Sequence, residues 1–244
     1  MTYCLALRLD AGLVFCSDSR TSASMDDINV YSKMHRFDTA DDRMIMLLSA
    51  GNLATTQAVV NQIDRDLRDA HVERDLNSFS NLDELTRYVG EISSQVQDTY
   101  SDQAEQSAFT ASFILGGQIQ GQPQDIFLIY PQGNHIAAST EKPFLQIGET
   151  KYGKPILDRI IEPGTTLERG ARCALVSMDA SMRSNLSVGP PIELLLYDAD
   201  SINGYQQLRF DENDAFLERI SQAWNNGLDA LFCELPRFDW EATL

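Results

Sequence analysis

Apolar residues along this sequence change period in blocks, and the order of the blocks decides the fold class. Residues 2–9 (TYCLALRL) are apolar and partly alternating, and 13–18 (LVFCSD) follow a turn at Asp10-Ala11-Gly12, which predicts a hairpin. The polar stretch 19–29 has no period and reads as loop, and 33–37 and 43–50 predict a second hairpin across a turn-rich Asp38–Asp42 segment. Then the period lengthens. Val59, Val60, Ile63, Leu67 and Ala70 recur at helical spacing, as do Leu82, Leu85, Val89, Ile92 and Val96, with Asn81 or Asp83 placed to cap the second helix. Residues 112–119, 125–130 and 135–139 return to strand pattern. A short helix over about 154–161 ends at Pro163-Gly164, and Leu167, Ala171, Ala174, Leu175, Met178 and Met182 mark another. Strands over 192–197 and 206–210 and a helix carrying Phe216, Ile220, Trp224 and Leu231 complete the order ββββ, αα, βββ, αα, ββ, α. Strands in hairpin groups and helices in pairs exclude a doubly wound βαβ sheet and predict α+β layering. With no repeat and no long linker, residues 1–244 read as a single domain with a helical C-terminal extension from about 212.

Charge narrows the function classes. Nineteen basic residues against 36 acidic ones leave a net charge of −17. Contact with a phosphate backbone needs clustered Lys and Arg, so nucleic acid is not an expected partner, and anionic lipid is disfavoured for the same reason. The apolar runs are strand-sized, too short for a membrane span. The N-terminal stretch has charges within its apolar run and no basic leader, so the chain reads as cytoplasmic. Cys4, Cys16, Cys173 and Cys233 are scattered with no CxxC and no Cys/His pair at metal spacing, which predicts free buried thiols and no metal or other cofactor.

The common catalytic motifs are missing. There is no HExxH and no GxSxG, and three scattered His leave little room for a Ser-His-Asp triad. His35 alternates with its strand neighbours, His71 ends a helix, and His135 starts a strand. Gly148 to Lys154 (GETKYGK) fits the spacing GxxxxGK of a phosphate-binding loop, but Pro155 stands where that loop needs a Ser or Thr hydroxyl. Pro in a first helical turn explains it as helix initiation. Thr2 is a different kind of signal. If Met1 is trimmed, Thr2 carries a hydroxyl and an α-amine on one residue, and the amine serves as base for the hydroxyl without any histidine. Asp18 closes the second strand and Lys33 opens the next hairpin, so both can sit beside the start of the first strand. There they form either an ordinary ion pair or a cation held by Asp18 that favours the Thr alkoxide.

Thr2 opening a strand, then Ser17-Asp18-Ser19-Arg20-Thr21, then Lys33 followed by Phe37-Asp38, then Leu48-Ser49-Ala50-Gly51 resemble the proteasome-type N-terminal nucleophile hydrolases. The chain is most similar to their bacterial Anbu (ancestral beta subunit) branch. The missing propeptide, the acidic C-terminal extension and residues 182–191 (MRSNLSVGPP) carry that likeness. The resemblance implies a four-layer αββα sandwich and a homo-oligomer, as a ring or open spiral. It implies a peptide or amide substrate attacked by Thr2, with Asp18 and Lys33 completing the triad. Asp18 lies at the family's usual spacing from Thr2, and Lys33 one residue nearer than usual. The resemblance further implies an oxyanion-binding N–H around Leu48, placed by Ala50-Gly51, and a substrate strand bordered by Arg20 and Thr21. The family tends to have a supporting Ser where Gly148-Glu149 stands here. Glu149 therefore either assists or competes for Lys33, and Asn185 and Ser187 are the candidates for the remaining support. An assembly or scaffold protein with little catalysis, and a nucleotide binder through Gly148–Lys154, are the competing functions. Whether an ATP-driven unfoldase docks on the assembly is not encoded in these motifs.

Overall fold

In a computed structural model, residues 1–24, 27–101 and 109–243 are described. Two units divide the chain, Met1–Glu212 and Asn213–Leu244.

The first unit opens with β1 (Tyr3–Leu9) and β2 (Gly12–Asp18), joined through the tight Asp10-Ala11 turn. Gly12 has φ +150°, and a Cβ there would lie 1.9 Å from the Tyr197 carbonyl oxygen, so only glycine fits. β3 (Arg20–Ser24) and β4 (Asp27–Val30) form a separate two-stranded ribbon. This corrects the loop expected over 19–29, of which residues 25 and 26 lie outside the described residues. A ribbon of RTSAS and DINV has no apolar alternation to announce it. β5 (Met34–Arg36) and β6 (Arg43–Gly51) follow, then α1 (Leu53–Arg68) and α2 (Leu82–Ser101). The side chain of Asn52 caps α1 by accepting from the Thr55 N–H, and Arg65 and Arg68 in its last turn suit the helix dipole. The Asn81 side chain accepts from the Glu84 N–H at 2.9 Å, which makes Asn81 the cap of α2.

β7 (Ala111–Ile119), β8 (Asp125–Ile129), β9 (His135–Ala137) and β10 (Phe144–Gly148) come next. After them run α3 (Lys154–Ile160), α4 (Leu167–Ser184), β11 (Ile192–Asp198) and β12 (Tyr205–Phe210). β10 is the apolar run before the GETKYGK segment, and it extends a sheet.

Two five-stranded antiparallel sheets result, ordered β10-β1-β2-β11-β12 and β5-β6-β7-β8-β9. Between them pack Ala6, Leu13, Phe15, Met46, Leu48, Ile114, Leu195 and Tyr197. Residues from the opposite face of the second sheet, such as Ile45, Leu47, Phe113 and Leu115, join Val59, Ile63, Leu85 and Val89 of α1 and α2. On the outer side of the first sheet, Gly170 of α4 lies against Leu7, Leu9 and Val14. The layers are therefore αββα. β1 is buried almost throughout because it is a central strand with one face on α4 and the other on the second sheet.

The second unit is α5 (Ala215–Glu234), capped by Asp214 accepting from the Phe216 and Leu217 N–H groups, followed by a 3-10 turn over Asp239–Thr243. No residue of α5 is buried. Cys233 is accordingly exposed, in contrast to the buried Cys4, Cys16 and Cys173, which corrects the expectation of four buried thiols. Among the described residues no helix is long and apolar enough to cross a membrane, and no group of three His, Cys, Asp or Glu is placed to hold a metal ion.

Candidate active site

Sheet register sets the position of Thr2. Tyr3 pairs with Gly148 and Cys4 with Ser17, so Thr2 sits just beyond the paired end of β1, level with the ends of β2 and β10. The Thr2 carbonyl oxygen accepts the Glu149 N–H at 2.7 Å. Gly148, at φ +80°, makes that approach possible, since a Cβ there would lie 1.9 Å from the same oxygen.

Asp18, at the end of β2, is fully buried. Its Oδ1 accepts the Tyr3 N–H at 3.0 Å and Lys33 Nζ at 2.8 Å, and its Oδ2 accepts the Gly189 N–H at 3.3 Å. Lys33, just before β5, also donates to the Arg20 carbonyl oxygen at 2.7 Å. Asp18 thus ties the residue after Thr2 to the one buried ammonium beside it. Burial pushes the Asp18 carboxyl above the usual carboxylate range, against the opposing pull of Lys33 and the two N–H donors. The α-amine of Met1 is held below its ordinary value, first by burial and then by the Lys33 charge, with Asp18 and Glu149 acting the other way. A larger share of the Met1 amine is therefore unprotonated near neutral pH than of an ordinary α-amine. Cys4, two residues from Thr2, is no competing nucleophile, because complete burial pushes its thiol well above the usual range.

Beside these groups opens a cleft of about 550 Å3. Thr2, Thr21, Lys33 and Ala50 all line it, as do Gly148 and Gly51. A second depression of about 430 Å3, around Arg8, Asp10 and Gln124, lies at the other end of β1 and contains none of these residues.

Other candidates fall elsewhere. Leu48 is fully buried in the middle of the second sheet, paired with Met34 on one side and Ile114 on the other, and is not among the cleft's lining residues. The neighbouring Ser49 N–H donates to the Lys33 carbonyl oxygen at 2.9 Å. The Arg20 side chain reaches toward the 186–189 segment, where Nη1 donates to the Leu186 carbonyl oxygen at 3.0 Å. Glu149 and Asn185 come together, Asn185 Nδ2 donating to Glu149 Oε2 at 2.9 Å, while Lys151 Nζ stands 3.6 Å from Glu149 Oε1. The Glu149 carboxylate therefore pairs with Lys151 and Asn185. Ser187 enters through its N–H, which donates to Asn185 Oδ1 at 3.0 Å. Within residues 148–154, Lys154 Nζ is paired with Asp158 one helical turn on.

Three groups at the site escape sequence reasoning. His35 and Ser49 line the cleft, with His35 Nε2 3.1 Å from Ser49 Oγ. Glu193, buried on β11, accepts from Ser32 Oγ at 2.7 Å and so braces the residue before Lys33. The signal for Glu193 was present: one carboxylate within the otherwise apolar run IELLLY is out of place in a buried strand unless it is paired.

The sequence model of the family described as proteasome subunit matches residues 2–195. Among solved structures, the chain is similar to Anbu (ancestral beta-subunit) from Yersinia bercovieri, with 40% identity, 98% of this chain and 100% of that chain covered, and a TM-score of 0.90. It is similar to a structure described as the helical assembly of the Anbu complex from Pseudomonas aeruginosa, with 41% identity, 97% and 98% covered, and a TM-score of 0.89. Anbu from Hyphomicrobium sp. strain MC1 matches with 40% identity, 98% and 100% covered, and a TM-score of 0.89. No curated protein sequence matches the chain.

Proposed function

The chain belongs to the proteasome subunit family, in its Anbu branch, and from that premise we propose that it is a threonine-type peptidase or amidohydrolase. One observation carries the reading. Lys33, whose buried Nζ is held 2.8 Å from Asp18, lines the same cleft as Thr2.

The reaction follows from those positions. Once Met1 is removed, the Thr2 amine takes the proton of its own hydroxyl, and the Thr2 oxygen attacks the substrate carbonyl carbon. The Lys33 ammonium stabilises the developing alkoxide, and Asp18 keeps that ammonium charged and aimed. A main-chain N–H in the 48–50 stretch of β6 binds the oxyanion; the Ser49 N–H is already donated to Lys33. Collapse of the tetrahedral intermediate breaks the C–N bond, and the leaving amine takes the proton from the Thr2 amine. Water activated by the same amine then hydrolyses the acyl ester. Glu149 and Asn185 support the site through the Glu149 N–H on the Thr2 carbonyl.

Intact mass of the purified protein, before and after a peptide electrophile that targets N-terminal threonine, tests this reading. Loss of Met1 and a single adduct on Thr2, abolished in Thr2→Ala, is expected. A retained Met1, or no adduct on Thr2, overturns it. The placement of Leu48 away from the cleft lining favours a second reading, an assembly protein with little catalysis. Normal assembly together with an unchanged cellular phenotype in Thr2→Ala selects that one. One solved relative is described as the helical assembly of an Anbu complex, and a homo-oligomer of this chain is part of the same proposal.

A further inference from the structure

The cleft is electrostatically unlike the rest of the molecule. The chain has 36 acidic residues, yet among the described residues none lines the cleft. Lys33 is the lining's one ammonium side chain, and its charge is already matched by Asp18 at 2.8 Å and the Arg20 carbonyl oxygen at 2.7 Å. The remaining polar side chains are neutral hydroxyls and amides, Thr21, Ser49 and Gln57 among them, together with His35, and the α-amine at the cleft is the one the proposed reaction needs uncharged, as its base. Burial pulls the His35 imidazole down to about 4, so it is uncharged at physiological pH. The Thr21 hydroxyl oxygen is buried and has no hydrogen-bond partner.

Three kinds of substrate side chain fare differently here. A carboxylate or ammonium entering the cleft loses water and finds no spare counter-charge. An aliphatic or aromatic side chain leaves the Thr21 hydroxyl, already out of water's reach, without a partner, and unmade hydrogen bonds are costly. A carboxamide offers a donor and an acceptor to groups that are themselves donors and acceptors. The volume, about 550 Å3, accommodates it easily.

We propose that the cleft selects peptide or amide substrates bearing an uncharged carboxamide side chain, of the glutamine or asparagine kind, next to the scissile carbonyl, with Thr21, His35 and Ser49 as its hydrogen-bonding wall. This selectivity rests on Thr2 acting as the nucleophile.

The test uses the full chain and four electrophilic peptides that differ only at that position: Gln, Glu, Lys and Leu. Thr2 labelling is followed by intact mass. The Gln probe is expected to label about tenfold faster than each of the other three. In Thr21→Val and His35→Phe the Gln-to-Leu rate ratio falls by about tenfold, a readout that a mere loss of folded protein does not move. Labelling of Thr2 led by Leu, Glu or Lys overturns the selectivity and leaves the nucleophile standing, as does an unchanged ratio in both variants. No labelling by any probe overturns the nucleophile itself, and the selectivity with it.

Discussion

Asp18 and Lys33 form a pair whose members depend on each other for more than attraction. Both side chains are nearly or fully removed from water, at 0% and 7% exposure. Taking the charge from one therefore strands the other, which costs about 3–5 kcal/mol in buried pairs. Asp18→Asn is expected to lower the unfolding free energy obtained from urea melts by an amount in that range and to abolish labelling of Thr2. The double variant Asp18→Asn/Lys33→Met recovers most of the stability and none of the labelling. Full activity in the double variant would separate the pair from the chemistry. His35 gives a different reading at the same scale. Its folded value of about 4 lies below the 6.5 of an unfolded chain, so between those values only the unfolded state gains a proton. Stability is full above about pH 6.5 and declines as pH falls toward 4, by no more than about 3 kcal/mol. His35→Gln should flatten that part of the profile in thermal melts, and an unchanged slope would remove His35 as its source. That Thr2, Asp18 and Lys33 would come together was legible from strand ends, since Thr2 precedes β1, Asp18 closes β2 and Lys33 precedes β5; a triad role for them came from the resemblance alone. His35 and Ser49 were not, because alternation along a strand assigns a residue to a face and is silent about which groove that face borders.

At the scale of elements, β1 is fixed from both sides by antiparallel neighbours, and its register against β10 brings Gly148 onto Thr2. Gly148→Ala introduces a methyl group where the Thr2 carbonyl oxygen stands, at a backbone conformation L side chains rarely adopt. A stability loss of at least about 2 kcal/mol is expected, with loss of Thr2 labelling beyond what the unfolded fraction explains. An alanine that leaves both unchanged would show that the Glu149 N–H to Thr2 carbonyl bond does not hold the site. Hairpin and helix order were readable from period alone, since β1, β2, β6 and β7 bury continuous apolar runs and α1 and α4 carry helical stripes. The β3–β4 ribbon was unreadable for a physical reason. Periodicity records burial, and this ribbon stands outside both sheets. The oxyanion position rests on spacing alone: Leu48 was placed by its distance to Ala50-Gly51, and spacing does not say which way an N–H points.

For the whole molecule, the second unit presents Leu231, Phe232, Leu235, Phe238 and Trp240 at 55–71% exposure, with the Phe238 and Trp240 rings stacked at 4.4 Å. So much exposed apolar surface at one end of a chain is unusual for a monomer. The homo-oligomer proposed above would cover it with a second copy of this chain. Leu231→Asp/Phe232→Asp is expected to reduce the mass measured by light scattering toward that of a protomer, while Met1–Glu212 keeps its own melting transition. An assembly of unchanged mass would place the contacts elsewhere. Each protomer brings a charge of −17, so mutual repulsion opposes assembly, and raising salt from about 0.05 to 0.5 M should favour the larger species.

Thr2 is made well before the groups that fix it. Its carbonyl waits for the N–H of Glu149, and the carboxylate of Asp18 waits for the N–H of Gly189. Closing such long loops is the slow part of forming an antiparallel sandwich. A ribosome must therefore make the segment from Thr2 through Gly189 before the surroundings of Thr2 are complete. If Thr2 is the nucleophile proposed above, order of synthesis keeps nascent copies on one polysome inert toward each other until each has closed its own site.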